Sequence, residues 1–236
     1  MSAYKRVVLK ISGEYLSDGN ATFAHPRIDS LVKEIIAVKD LGTQLSIVIG
    51  GGNVFRGHTY NGRDSGFIRT DADKMGMLAT AINAIALRSV LDTCGVDTTI
   101  MSSIGIEGIA NRFSISDCDA ALDSGKVVIF CCGTGNPFFS TDSAAALRAC
   151  ELHADILLKA TNVDGIYDRD PHQFADAKKF TRLTYQEVLQ NVIHVMDLTA
   201  FVLCMENAIP IRVFNGAEPG MIVKAASGSE IGTIIE

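Results

Sequence analysis

Two lysines sit inside apolar runs, and their placement is the first chemical signal in the chain. Lys10 lies near the end of the β-prone run 4–11 and is followed by Ile11, Ser12 and Gly13; Lys159 lies near the end of the run 154–160 and is followed by Thr161 and Asn162. An ammonium so placed either snorkels to solvent at a sheet edge or meets an anion at the strand's end. Beside a hydroxyl and a glycine, that anion can be a phosphate. A second segment, Gly50-Gly51-Gly52-Asn53-Val54-Phe55-Arg56-Gly57, follows the apolar run 44–49. Three glycines allow positive φ and can aim successive N–H groups at an anion, and Arg56 adds a planar fork suited to phosphate oxygens. A tight turn between elements would need only one glycine.

A third segment runs Thr134, Gly135, Asn136, Pro137, Phe138, Phe139, Ser140, Thr141, Asp142. Hydroxyls, an amide and two aromatics after a strand suit a loop that grips a planar, polar ligand, although adjacent aromatics are more often core. Asp142 opens the next helix, where an acid is often only a cap or dipole partner. The fourth segment continues from Lys159 through Thr161, Asn162, Asp164 and Gly165 to Tyr167, with Asp170 after it; its bland alternative is a hairpin with a solvated Asp-Gly. Neither glycine cluster matches a dinucleotide fingerprint: Phe55 and Phe138 each stand where the third glycine of G-x-G-x-x-G belongs, and no G-x-x-x-x-G-K-[ST] occurs.

The elements that must position these residues alternate. Strands are expected at 4–11, 44–49, 97–101, 126–132, 154–160, 210–214 and 233–235. Helices are expected from Pro26 to Leu41, from Asp73 to Gly95, over 116–124 with Ser116 as cap, from Asp142, from the capping box at Thr184–Glu187, and over 197–207. Residues 58–72 read as a mobile loop. Apolar strands alternating with helices predict an α/β fold, a mostly parallel sheet covered on both faces. In such sheets ligands bind beyond the carboxyl ends of strands, where these segments lie.

Composition narrows the class. A chain of 236 residues with 47% hydrophobic content can bury one sizeable core or two close lobes. A net charge of -6 does not advertise a nucleic-acid or membrane-surface binder. No apolar run reads as a membrane span and no signal-peptide pattern opens the chain. Six cysteines without a Cys-x-x-Cys pair, and five histidines without ligand spacing, suit reduced thiols in the cytosol and predict no protein-bound metal site.

Taken in order, the strings Lys10 through Glu14, Gly50 through Gly57, Asp73 through Thr80, Thr134 through Ala145 and Lys159 through Tyr167 resemble the amino acid kinase superfamily, and most closely bacterial-type UMP kinases (uridylate kinases). The resemblance implies a three-layer αβα sandwich, one domain over 1–236, with an acceptor lobe at about 1–153 and an ATP lobe at about 154–236. It implies transfer of the γ-phosphoryl group of ATP to UMP in pyrimidine biosynthesis, with Mg²⁺ carried on the ATP phosphates. ATP would contact Lys10, Ile11, Ser12, Gly13, Gly52 and Arg56, with Thr161, Asn162, Tyr167 and Asp170 around adenine and ribose. UMP would lie across Gly51, Asp73 and Thr134 through Thr141. Asp73 is preferred to nearby Asp71 because it precedes Met-Gly-Met, and an acceptor-only carboxylate suits ribose hydroxyls. Lys10, Arg56 and Lys159 would cover the phosphoryl oxygens, while Asp142 orients the lysines. A cytoplasmic homo-oligomer, a hexamer responsive to GTP and UTP, completes the expectation. Two other readings stay open: a kinase of the same fold for a carboxylate or carbamate, and a non-catalytic nucleotide- or anion-binding protein.

Overall fold

The computed structural model describes residues 3–56, 66–169, 171, 173–174, 176–190, 193 and 196–236. The chain opens with β1 (Arg6–Ile11), a 3-10 turn (Gly13–Leu16), α1 (His25–Asp40) and β2 (Gln44–Ile49). Next come α2 (Arg69–Thr93), β3 (Thr98–Ser102), β4 (Asn111–Arg112), α3 (Ile115–Asp123), β5 (Val127–Cys131) and α4 (Thr141–Glu151). The last third holds β6 (Ile156–Thr161), β7 (Ile166–Tyr167), β8 (Lys179–Phe180), β9 (Arg182–Leu183) and α5 (Tyr185–Gln190). It ends with α6 (Leu198–Glu206), β10 (Ile211–Asn215), α7 (Met221–Ala226) and β11 (Thr233–Ile235).

Nine strands form one sheet in the order β4-β3-β5-β2-β1-β6-β10-β11-β9, and β7 and β8 pair separately. Within the large sheet only β10 and β11 run antiparallel. Strand parity sends Val7, Leu9 and Ile11 to one face, against Ile35 of α1, Leu87 of α2 and Ala225 of α7. Val8 and Leu157 face the other side, against Leu122 of α3, Ala145 of α4, Val188 of α5 and Phe201 of α6. Helices therefore cover both faces, the three-layer arrangement expected. By the same alternation Lys10 and Lys159 belong to the α4 face.

Several boundaries differ from expectation for local reasons. Helix α2 begins at Arg69, not Asp73, because the expected loop 58–72 gives way to helix before its end; its residues 58–65 lie outside the described residues. Ser114, not Ser116, caps α3, accepting from the Asp117 N–H at 3.4 Å. The capping box is formed: the Thr184 N–H donates to Glu187 Oε2 at 2.7 Å and the Glu187 N–H to Thr184 Oγ1 at 3.1 Å. At 25 residues, α2 is also long and apolar enough to cross a membrane by length and composition, against the expectation. Here its buried residues, Met77, Ala84, Leu87 and Leu91 among them, pack in the core instead.

Candidate active site

Strand β1 lies between β2 and β6, so the chain leaves it toward one edge and returns on the other side. That is the topological switch point at which open α/β sheets bind ligands. The parallel register sets Lys10 directly beside Lys159. Between their ammonium groups lies Asp142: Lys159 Nζ donates to Oδ2 at 2.5 Å, and Lys10 Nζ stands 2.8 Å from Oδ1 in an ion pair without hydrogen-bond geometry. All three side chains are largely buried, at 15% exposure or less.

The approach depends on α4 being alanine-rich. Ala144, Ala145, Ala146 and Ala149 are buried, so the helix sits close on the sheet and its first turn reaches the strand ends. Ser140 caps it, accepting from the N–H groups of Asp142 at 3.0 Å and Ser143 at 3.1 Å. Ser140 in turn donates to Asp197, which also accepts from Ser143 Oγ at 3.0 Å and caps α6 through the Ala200 N–H at 2.8 Å. Burial alone would raise the Asp142 carboxyl, but Lys10 and Lys159 together hold it below the ordinary carboxylate range. Burial pulls the Lys159 ammonium below the usual lysine range against the attraction of Asp142. Two cations against one carboxylate leave a partly desolvated net positive charge, the condition for holding a phosphoryl group.

Two clefts meet here. One of about 420 Å³ is walled by Gly51, Gly52, Asp73, Thr134, Phe138, Phe139, Ser140 and Thr141. The other, of about 360 Å³, is walled by Lys159, Thr161, Asn162, Tyr15, Arg27 and Ala217. Both include Lys10, Ser12 and Glu14. The two spaces share Lys10, and Gly52 and Arg56, expected on the ATP side, line the first space and not the second.

The glycines act differently than expected. None of Gly50, Gly51 and Gly52 has positive φ. Gly51 is required by close approach, since a Cβ there would lie 2.8 Å from the Gly76 carbonyl and 2.9 Å from Ala79 Cβ on α2. Gly13 is more tightly enclosed, by Asn53, Asn83 and the Gly50 carbonyl. Positive φ belongs instead to the other loop: Cys132 (61°), Gly133 (56°), Gly135 (81°) and Phe138 (73°).

Other expected residues divide. Arg56 is on the cleft but its head pairs with Glu14, and its Nε donates to the Gly52 carbonyl at 3.1 Å. Asp73 accepts from Arg69 Nε at 2.9 Å and from the Phe138 N–H at 2.9 Å, and lines the cleft; Asp71 is exposed and pairs with Lys74. Phe138 and Phe139 are exposed, as a ligand platform requires, rather than core. Gly135, Asn136 and Pro137 form the turn between the walls and are not part of them. Ile11 is fully buried and offers a ligand only its backbone. Tyr167 does not line the second cleft; its hydroxyl donates to Asp164 Oδ1 at 2.6 Å. Asp170 lies outside the described residues.

Sequence reasoning assigned no role to several residues that shape the site. Asn83 is buried on α2 and donates to the Gly50 carbonyl and to Asn53 Oδ1, each at 2.7 Å, fixing the glycine loop. An asparagine on the apolar face of a helix was the available signal. Tyr15 donates to the Thr161 carbonyl at 2.7 Å, tying the 3-10 turn to the end of β6; burial pushes its phenol up to about 12. Glu14 stands in both clefts, and Asp197 joins the starts of α4 and α6.

Fold and site define a protein of the αβα class with two clefts that meet at a switch point. The family model described as the amino acid kinase family matches residues 5–215. The chain is 46% identical to the chloroplastic uridylate kinase PUMPKIN of Arabidopsis thaliana over 98% of this chain and 68% of that protein. Among solved structures it is similar to the UMP kinase of Bacillus anthracis, with a TM-score of 0.95, 38% identity and coverage of 99% of this chain and 96% of that one. It is also similar to the UMP kinase of Ureaplasma parvum, with a TM-score of 0.93, 36% identity and 98% of each chain covered. The chain belongs to the amino acid kinase family and, within it, to the UMP kinases, which are nucleoside monophosphate kinases.

Proposed function

We propose that this protein transfers the γ-phosphoryl group of ATP to UMP, with UMP in the cleft walled by Asp73, Thr134 and residues 138–141 and ATP in the cleft at Lys159, Thr161 and Asn162. The observation that carries this reading is the meeting of the two clefts at Lys10, opposite Asp142 and beside Lys159. The UMP phosphate is already an ionised nucleophile, so the site needs no strong base; alignment and charge neutralisation suffice. Lys10 sits at the seam and covers the transferred oxygens. Lys159 acts from the nucleotide side. Asp142, held ionised between them, orients both ammonium groups rather than taking a proton. Arg56 leaves Glu14 for phosphate when an anion arrives. Asp73 receives the ribose hydroxyls.

A magnesium ion suits the residues present as a passenger of ATP. Asp142 is committed to two lysines and Glu14 to Arg56. Among the described residues no group of three or more His, Cys, Asp or Glu side chains could hold a metal. Phosphate oxygens would then supply its ligands, and the ion would neutralise charge on the nucleotide.

In the same reading the lobes divide at about residue 153, and the protein is a homo-oligomer, a hexamer by family resemblance, with GTP and UTP as effectors. Support for assembly is the exposed apolar stripe Met75, Leu78 and Ile82 on α2. Six unbridged cysteines suit the cytoplasm. The deciding experiment is ADP release from Mg·ATP with UMP, CMP, dUMP, AMP, glutamate or carbamate as acceptor. Turnover confined to UMP supports the proposal. Turnover with a carboxylate or carbamate overturns the acceptor, and nucleotide binding without any turnover overturns catalysis.

A further inference from the structure

Arg148 is a buried cation that the transfer chemistry does not use. It lies on α4, six residues beyond Asp142, and is 3% exposed. Its guanidinium lies 3.7 Å from the Phe113 ring centroid and pairs with Glu151. Its Nη2 donates to Ser103 Oγ at 2.8 Å, and Ser103 Oγ donates to the Gly133 carbonyl at 2.5 Å.

Gly133 is where the acceptor loop leaves β5. Cys132 and Gly133 both have positive φ there, an uncommon conformation for a cysteine, and such backbone persists only when its surroundings over-determine it. The surroundings form two clamps. On the α2 side, Thr80 Oγ1 accepts from the Cys132 N–H at 2.7 Å and donates to the Met77 carbonyl at 2.6 Å. On the α4 side stand Arg148 and Ser103, and Ser103 also packs under Gly135, where a Cβ would come within 3.2 Å of Ser103 Cβ.

We infer that Arg148, acting through Ser103, is a positioning residue that sets the conformation of the loop 133–141 and thereby the affinity and selectivity for the acceptor nucleotide, without touching it. The same helix carries Asp142 at its start, so one rigid element registers the acceptor loop against the phosphoryl-transfer lysines. The inference rests on the assignment of this loop to the acceptor.

The test compares the full chain with Ser103→Ala, Arg148→Met and the double variant, by steady-state kinetics and by amide hydrogen exchange over the loop. Ser103→Ala removes one hydroxyl and should leave the fold intact. Its KM for UMP should rise about tenfold, the loss of one buried hydrogen bond, with KM for ATP unchanged and kcat little affected. Loop amides should exchange faster while those of β6 do not. Adding Arg148→Met to Ser103→Ala should not raise KM for UMP further, since both act on one contact. Equal changes in both KM values, additive effects, or unchanged loop exchange in Ser103→Ala would overturn the relay. If the wild type does not phosphorylate UMP, the acceptor assignment fails instead, and loop exchange still decides whether Ser103 and Arg148 hold the loop.

Discussion

At the scale of single residues, the arrangement of one carboxylate between two ammonium groups makes distinct demands on each. Lys10 is the cation that borders both clefts, so its contact should strengthen as the phosphoryl group crosses between them. Lys10→Ala should therefore lower kcat by roughly a hundredfold or more while KM for UMP changes little. A change confined to KM would remove Lys10 from the chemistry. Asp142→Asn should be nearly as damaging, because the amide no longer holds either lysine by charge; full activity would reduce Asp142 to a dipole partner in the first turn of α4. Its titration adds a second check. A carboxyl held below its ordinary value of 3.8 in the folded chain binds fewer protons there than when unfolded. Its stabilising contribution is complete above that value and is lost as pH falls through the lower, folded one. Urea midpoints measured from pH 5 downward should fall less steeply in Asp142→Asn than in the wild type.

At the scale of elements, two loops achieve similar ends by opposite means. The loop after β2 is glycine-rich because backbones approach closely, and the loop after β5 because φ is positive. Gly51→Ala forces a methyl against the Gly76 carbonyl and Ala79, so it should destabilise by about 1–3 kcal/mol as an overpacked site, read from urea unfolding. Asn83→Ala attacks the same loop from α2. It leaves the Gly50 carbonyl without the 2.7 Å bond it accepts, a loss of roughly 1–3 kcal/mol for a buried acceptor. Gly51 walls the first cleft, so Gly51→Ala should also raise KM for UMP; Asn83 lines neither cleft, so Asn83→Ala should lower stability more than it alters the ratio of the two KM values. The reverse pattern would place Asn83 against substrate.

At the scale of the whole molecule, the relevant feature is that two clefts on opposite sides of β1 share one end. Both ligands should bind together, with their phosphates converging on Lys10. A single molecule joining adenosine to uridine through a phosphate chain should then compete with ATP and with UMP alike. It should bind at least a hundredfold more tightly than either, because linkage makes the second binding event intramolecular. Competition with only one substrate would mean that the clefts do not connect when filled. Calorimetry with the linked compound on wild type and Lys10→Ala would show whether that lysine sits at the junction.

The sequence by itself determined the alternation of apolar strands and helices, the capping box at Thr184 and Glu187, and the presence of both lysines at strand ends. These are local properties: periodicity, propensity and polarity breaks are written in neighbouring residues. It also marked Asp142, Gly51, Asp73 and Thr134 through their motifs. Only the tertiary structure decided that Lys10 and Lys159 stand side by side, because strand order joins residues 149 positions apart. It alone placed Asp142 between them, since that depends on how closely an alanine-rich helix can pack. It kept Tyr167 out of the second cleft, its hydroxyl bonded to Asp164, and it brought Arg148 to the start of the loop 133–141 through Ser103. Partners distant in the chain meet only through register and packing, and no pattern along a single segment encodes those distances.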